Sequence, residues 1–122
     1  MICDDEQDLL LTYTAILSDY YSIITTSSGE ECVETYVQLK NNGQKIHLIL
    51  LDYKLPDMTG DQVAKTIMTL NGTNIILISA YQLKDQMIDE LKENRVIVEF
   101  LSKPVSITSL KETVNRFVSG VS

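Results

Sequence analysis

Short apolar and β-branched runs recur along the chain at residues 1–3, 21–25, 48–51, 75–78 and 96–101. Between them the apolar residues change period, from consecutive to every third or fourth position, the spacing that lines one face of a helix. The pattern predicts a strand followed by a helix, five times over. The first helix is expected to bury Leu9, Tyr13, Ile16 and Leu17, and the second Val33, Tyr36 and Val37. Val63, Ile67 and Leu70 mark the third, and Leu83, Met87, Ile88 and Leu91 the fourth. The fifth has the longest stripe, Ile107, Leu110, Val114, Phe117 and Val118, with Gly120 as the expected stop. Two helix starts carry their own signal. Ser28-Gly29-Glu30-Glu31 and Thr59-Gly60-Asp61-Gln62 fit the capping box, in which the first hydroxyl and the fourth side chain satisfy free backbone N–H groups reciprocally.

Alternating strands and helices imply a mostly parallel sheet covered on both faces by right-handed crossovers. Residues 48–51 and 75–78 are apolar throughout and belong at the centre, whereas the runs 21–25 and 96–101 include polar positions and belong at the edges. A doubly wound sheet in the order 2-1-3-4-5 meets both conditions. It sets the first strand beside the third at the switch point, where such folds hold their ligands.

Composition narrows the picture further. With 122 residues, 44% of them apolar, the chain can close a hydrophobic core without disulfides or a structural metal, so one domain over residues 1–122 is expected. Ten Lys and Arg against 17 Asp and Glu give a net charge of −7, which repels phosphate backbones and acidic lipid and argues against direct nucleic-acid binding. No apolar run approaches the ~20 residues a membrane helix needs. The first residues carry neither the basic nor the long apolar segment of a signal peptide, which makes the cytoplasm the expected compartment. Cys3 and Cys32 lack C-x-x-C spacing and His47 is the one histidine, too few ligands for a zinc site; two free, buried thiols are expected instead.

The reactive side chains fall just beyond the strands. Asp4 and Asp5 follow the first run, Asp52 the third, Ser79 the fourth and Lys103 the fifth, so parallel strands would gather them at one rim. Crowded carboxylates raise one another's pKa unless a cation compensates, and oxygen ligands without His or Cys suit a hard ion such as Mg²⁺. Asp5 and Asp52 are the expected direct ligands, with Asp4 acting through water or by orienting its neighbour. Mg²⁺ takes its remaining oxygens from water and phosphate, so the set points to phosphoryl transfer. Lys103 and Ser79 would each take a phosphoryl oxygen. Asp52, between the acidic pair and these two, is the expected nucleophile, giving an aspartyl phosphate.

Taken together, Asp4-Asp5-Glu6, Leu50-Leu51-Asp52, Leu55-Pro56-Asp57-Met58-Thr59-Gly60, Ile78-Ser79-Ala80 and Phe100-Leu101-Ser102-Lys103-Pro104 resemble the response-regulator receiver domains of two-component signalling over essentially the whole chain. The resemblance implies a flavodoxin-like α/β fold, a five-stranded parallel sheet in the order 2-1-3-4-5 with five helices. It also implies that Asp52 accepts a phosphoryl group from a phosphohistidine on a sensor histidine kinase or histidine phosphotransfer protein. By the same matching, Asp5, Asp52 and the backbone carbonyl of Lys54 hold Mg²⁺ with support from Asp4. Ser79 and Phe100 are the switch pair, and Lys103, before a commonly cis proline, meets a phosphoryl oxygen. The surface formed by the fourth helix, fifth strand and fifth helix would then change, to control a downstream effector domain or protein or to form a homodimer.

Other readings remain beside this one. Asp57 reads as turn chemistry, His47 as an exposed or capping residue, and Tyr81 and Lys54 as residues that shield the phosphoryl group or face solvent. Two departures stand out: only Met1, Ile2 and Cys3 precede the acidic pair, and Glu93-Asn94-Arg95-Val96 lacks the small residues common before the fifth strand. The main functional alternative is a non-phosphorylated interaction module of the same shape. A Mg²⁺-dependent phosphatase is the weaker one, because Lys54 stands where such enzymes place a second Asp.

Overall fold

A computed structural model describes residues 1–118, so Gly120, the expected helix stop, lies outside the described residues. The elements alternate as β1 (Ile2–Cys3), α1 (Gln7–Leu17), β2 (Thr25–Thr26), α2 (Gly29–Asn41), β3 (Leu48–Asp52), α3 (Gly60–Thr69), β4 (Asn74–Ser79), α4 (Asp85–Glu93), β5 (Glu99–Ser102) and α5 (Ile107–Val118). The sheet runs β2-β1-β3-β4-β5 with every pair parallel, the flavodoxin-like order expected from the sequence.

Two cores, one on each face, explain why residues 48–51 and 75–78 of the central strands are apolar throughout. Ile49, Leu51, Ile75 and Leu77 pack with Cys32 and Tyr36 of α2 and Val63 and Ile67 of α3. Their strand neighbours Leu48, Leu50, Ile76 and Ile78 point the other way, onto Leu10, Tyr13 and Leu17 of α1 and Leu110 and Val114 of α5. No helix among the described residues is long and apolar enough to cross a membrane.

Several expectations shift in detail. The second strand is confined to Thr25–Thr26, because β1 offers only Ile2 and Cys3 to pair with; Tyr21 and Ile23 lie against the core without a ladder. The fifth begins at Glu99 rather than Val96. The N–H groups of Val96 and Ile97 are used by the Leu91 carbonyl, closing α4, and their side chains are buried beneath that helix. Arg95 sits at φ 60°, the left-handed position that usually selects glycine at a helix end, at a cost of about 1 kcal/mol. That is the local consequence of the missing small residue.

In α1 the buried position is Leu10 rather than Leu9, and in α2 Cys32 and Tyr36 are buried while Val33 and Val37 flank them. Leu83 packs from the loop before α4, and Ile107, at the start of α5, is 58% exposed rather than core. The Thr59 capping box forms, with Gln62 Oε1 accepting the Thr59 N–H at 3.1 Å. At α2 the box is half made: Ser28 Oγ accepts the Glu31 N–H, but the Glu31 carboxylate takes the N–H of Ser27.

Candidate functional site

Parallel strands deliver their last residues to the same rim, and here Asp52 ends β3 and Ser79 ends β4. Asp4 and Asp5 leave β1, and Lys103 follows β5, its N–H held by the Ser79 carbonyl at 2.8 Å. The side chains of Asp4, Asp5, Asp52 and Lys103 therefore lie together, and Ser79 ends the adjacent strand at the same rim. One carboxylate oxygen from each of Asp4, Asp5 and Asp52 lies within 4.8 Å of the others. Asp4 and Asp52 are only 2% and 6% exposed, whereas Asp5 is open to solvent.

Lys103 neutralises the buried part of this cluster. Its ammonium donates to Asp4 Oδ2 at 3.0 Å and lies 3.2 Å from Asp52 Oδ1. The exposed Glu6 adds a third carboxylate at 3.6 Å, and its N–H binds Asp4 Oδ1 at 2.9 Å. In the sequence Glu6 stands out only as part of the acidic run Asp4-Asp5-Glu6. One lysine does not balance these charges. Burial, and then the charge of Asp4, push the Asp52 carboxyl up to about 6 against the opposing pull of Lys103. Burial works against the Lys103 ammonium, but the hydrogen bond and charge of Asp4, with Asp52, hold it above its usual value. The Lys103–Pro104 peptide is cis.

Ser79 Oγ is occupied within its own turn, accepting the Tyr81 N–H at 2.9 Å and donating to the Tyr81 carbonyl at 3.0 Å. Tyr81 is 52% exposed. The ammonium of Lys54 reaches across to the Tyr81 hydroxyl at 3.1 Å and stands 5.1 Å from the ring centre. Phe100 is half-buried against the α2/α3 core, and His47 is exposed and distant from the rim.

The loop after Asp52 is braced from two sides. Gly60 begins α3 so close beneath it that a Cβ there would lie 2.5 Å from the Asp52 carbonyl oxygen, so only glycine fits without a shift. Asp57 accepts the N–H groups of Gly29 and Glu30, each at 2.8 Å, and so caps α2 from a loop 28 residues away. Those two hydrogen bonds hold its carboxyl below the usual range. No sequence signal announces this clamp, because the partner is remote. Within the loop, the Lys54 carbonyl oxygen accepts no hydrogen bond among the described residues.

A doubly wound parallel sheet with buried carboxylates and a lysine at its carboxyl rim defines a flavodoxin-like α/β protein with an acidic pocket. Comparison with known proteins takes the class further: the response regulator receiver domain family matches residues 1–115, and the chain belongs to that family. Its members are regulatory phosphoacceptors in two-component signalling. A probable cyclic di-GMP phosphodiesterase of Vibrio cholerae is 32% identical over 116 residues, covering 94% of this chain. The chain spans only 25% of that relative's length. The signal receiver domain of a putative Luxo repressor protein from Vibrio parahaemolyticus superposes with a TM-score of 0.84 at 26% identity, covering 97% of this chain and 87% of that one. The CheX–CheY–BeF3–Mg²⁺ complex from Borrelia burgdorferi contains a chain with a TM-score of 0.81 at 28% identity, covering 93% of this chain and 84% of its own.

Proposed function

We propose that Asp52 is the phosphoacceptor of this domain and that its phosphorylation, by a sensor histidine kinase or histidine phosphotransfer protein, switches the α4-β5-α5 face. One observation carries the reading: a nearly buried carboxylate at the end of a central strand, 3.2 Å from a lysine and grouped with Asp4 and Asp5. In the transfer, an Asp52 carboxylate oxygen forms a bond to phosphorus as the phosphorus–nitrogen bond of the phosphohistidine breaks. The electron pair of that bond stays on the imidazole nitrogen. Lys103 offsets charge on a phosphoryl oxygen. Ser79 can do the same once its hydroxyl leaves the Tyr81 carbonyl, and that exchange couples the phosphoryl group to the β4–α4 loop. Half-buried Phe100, next along the sheet on β5, is the second switch residue.

The donor set fits Mg²⁺. It is made of oxygen alone, it carries more negative charge than Lys103 balances, and the Lys54 carbonyl is free of hydrogen bonds among the described residues. Asp5, Asp52 and the Lys54 carbonyl would hold the ion, with Asp4 behind them through water or by orienting its neighbour. When bound, Mg²⁺ supplies positive charge to the phosphoryl oxygens and lowers the repulsion between them and the carboxylates. The Borrelia complex, with its Mg²⁺ and BeF3, supports this assignment.

Kinase, effector domain or protein and any α4-β5-α5 homodimer belong to the same proposal, as does a role in the cytoplasm without direct nucleic-acid contact. The test is intact mass after incubation with acetyl phosphate, with and without Mg²⁺, for wild type and Asp52→Asn. A Mg²⁺-dependent gain of one phosphoryl group that is absent from the variant is the expected result. No adduct, with BeF3 also failing to bind, would make the domain a non-phosphorylated interaction module.

A further inference from the structure

Between β3 and α3 the chain closes on itself in a small turn. The Gly60 N–H donates to the Tyr53 carbonyl, the Leu55 N–H donates to the Met58 carbonyl at 3.2 Å, and together they set Lys54 opposite Thr59 as an antiparallel bridge. That facing pair is of the non-hydrogen-bonded kind, so the Lys54 carbonyl points out of the turn instead of across it. Leu55 is buried in the α2/α3 core and anchors one arm. The tip, Pro56 and Asp57, is exposed and is held from outside. Asp57 Oδ1 accepts the Gly29 N–H and Oδ2 the Glu30 N–H, each at 2.8 Å. Two parallel hydrogen bonds to an ionised acceptor are strong and fix orientation as well as distance. Met58 adds packing: a Cβ at Gly29 would lie 2.5 Å from Met58 Cγ, so the turn rests directly on the first residue of α2.

The helix has a cap of its own. Ser28 Oγ accepts the Glu31 N–H at 3.1 Å, the usual task of an N-cap serine. The start of α2 is thus capped twice, once by its own chain and once by the turn that carries the Lys54 carbonyl. Lys54 stands three residues before Asp57, and the Leu55–Met58 hydrogen bond ties the arm bearing that carbonyl to the arm bearing the carboxylate. A tip that left α2 would therefore move the Lys54 carbonyl relative to Asp5 and Asp52.

We propose that Asp57 is a positioning residue for the cation site: by fastening the 53–60 turn to the start of α2, it holds the Lys54 carbonyl where Asp5 and Asp52 can share an ion with it. The inference rests on the Mg²⁺ assignment above. Asp57 is not one of the ligands, because both its oxygens face α2. Coupling of this kind is reciprocal: an ion that binds better to the fastened turn strengthens the fastening by the same factor. Occupancy of the acidic rim is therefore felt at the Gly29 and Glu30 amides, on a side of the molecule remote in sequence from α4, β5 and α5.

The test is Mg²⁺ titration of the wild type, Asp57→Ala, Asp57→Asn and Ser28→Ala, with urea unfolding of each in metal-free buffer. Both alanine variants remove a cap from the same helix end and should lose stability. Asp57→Ala alone is expected to weaken Mg²⁺ binding, by about fivefold, the lower end for coupled sites. Asp57→Asn keeps one acceptor oxygen and should fall between. In the wild type, saturating Mg²⁺ should slow amide exchange at Gly29 and Glu30 by a similar factor, and by more than at Glu31, whose amide Ser28 holds. Equal Mg²⁺ affinity in Asp57→Ala and wild type, or equal losses in Asp57→Ala and Ser28→Ala, would make Asp57 a helix cap and nothing more. Exchange at Gly29 and Glu30 that ignores Mg²⁺ would overturn the coupling with no variant needed, so the inference stays open to refutation even if Asp57→Ala does not fold. A wild type that binds no Mg²⁺ would overturn the Mg²⁺ assignment and this inference together, whereas a bound ion indifferent to Asp57 would overturn the inference alone.

Discussion

At the carboxyl rim of the sheet, Asp4 and Asp52 are as hidden as core aliphatics and depend on one lysine; at the amino rim, Leu17, Val114 and Ile46 line a largely apolar cavity. The same strands make both ends. At the first, stability is given up to hold like charges together, and an added cation would relieve the repulsion. At the second, the interactions are non-directional and rest on apolar contact. A charge-dependent end should therefore respond to divalent cations, and an apolar end should not.

The largest effect should come from Lys103→Ala, which leaves two buried carboxylates without a countercharge. A loss of about 3 kcal/mol is expected by urea unfolding near neutral pH in metal-free buffer. The loss should shrink in acid, as the carboxylates protonate, and on adding Mg²⁺. Val114→Ala, beside the opposite cavity, should cost about 2 kcal/mol at every pH. Equal pH dependence in the two variants would break the contrast.

Next in size is Gly60→Ala, whose added methyl would press on the Asp52 carbonyl at 2.5 Å and on Leu77. About 2 kcal/mol of stability should be lost, with weakened Mg²⁺ binding measured by titration. Gly72 also resists substitution, but for a different reason: it sits at φ +68° with 3.6 Å to its nearest neighbour. Gly72→Ala should cost about 1 kcal/mol, all of it from backbone conformation, and leave Mg²⁺ affinity unchanged.

The smallest effect concerns pH. Because the Asp52 carboxyl is raised from its usual 3.8 to about 6 by burial and by Asp4, the folded state holds its proton more tightly than the unfolded chain. The stabilising contribution is present below about 4 and is lost as pH rises through about 6. Asp52→Asn should lack that decline and be more stable than wild type by on the order of 1 kcal/mol at pH 7 without Mg²⁺. A steeper decline in the variant would sink this account. The direction is opposite to that of an ordinary paired carboxylate.

Much of this was legible along the chain. Uninterrupted apolar runs at 48–51 and 75–78 announce strands covered on both faces, and the residue after each run is a reactive one because parallel strands share a direction. Strand order, and the grouping of Asp4, Asp5, Asp52, Ser79 and Lys103, followed from that. Strand ends were less legible. Residues 21–24 have strand composition but little beside them to pair with, and the Val96 and Ile97 amides close a helix instead of joining a ladder. Pairing is a property of the neighbour, and composition does not record it.

Periodicity and order by themselves determined the α/β class, the central strands and which side chains stand at strand ends, because these depend on local spacing and chain direction. Only the tertiary structure decided that Asp57 caps a helix 28 residues away, that Ser79 is engaged by Tyr81, and that Leu17, Ile46 and Val114 line one cavity. Each of these depends on distances between segments far apart in the chain, and such distances exist only once the packed core has set them.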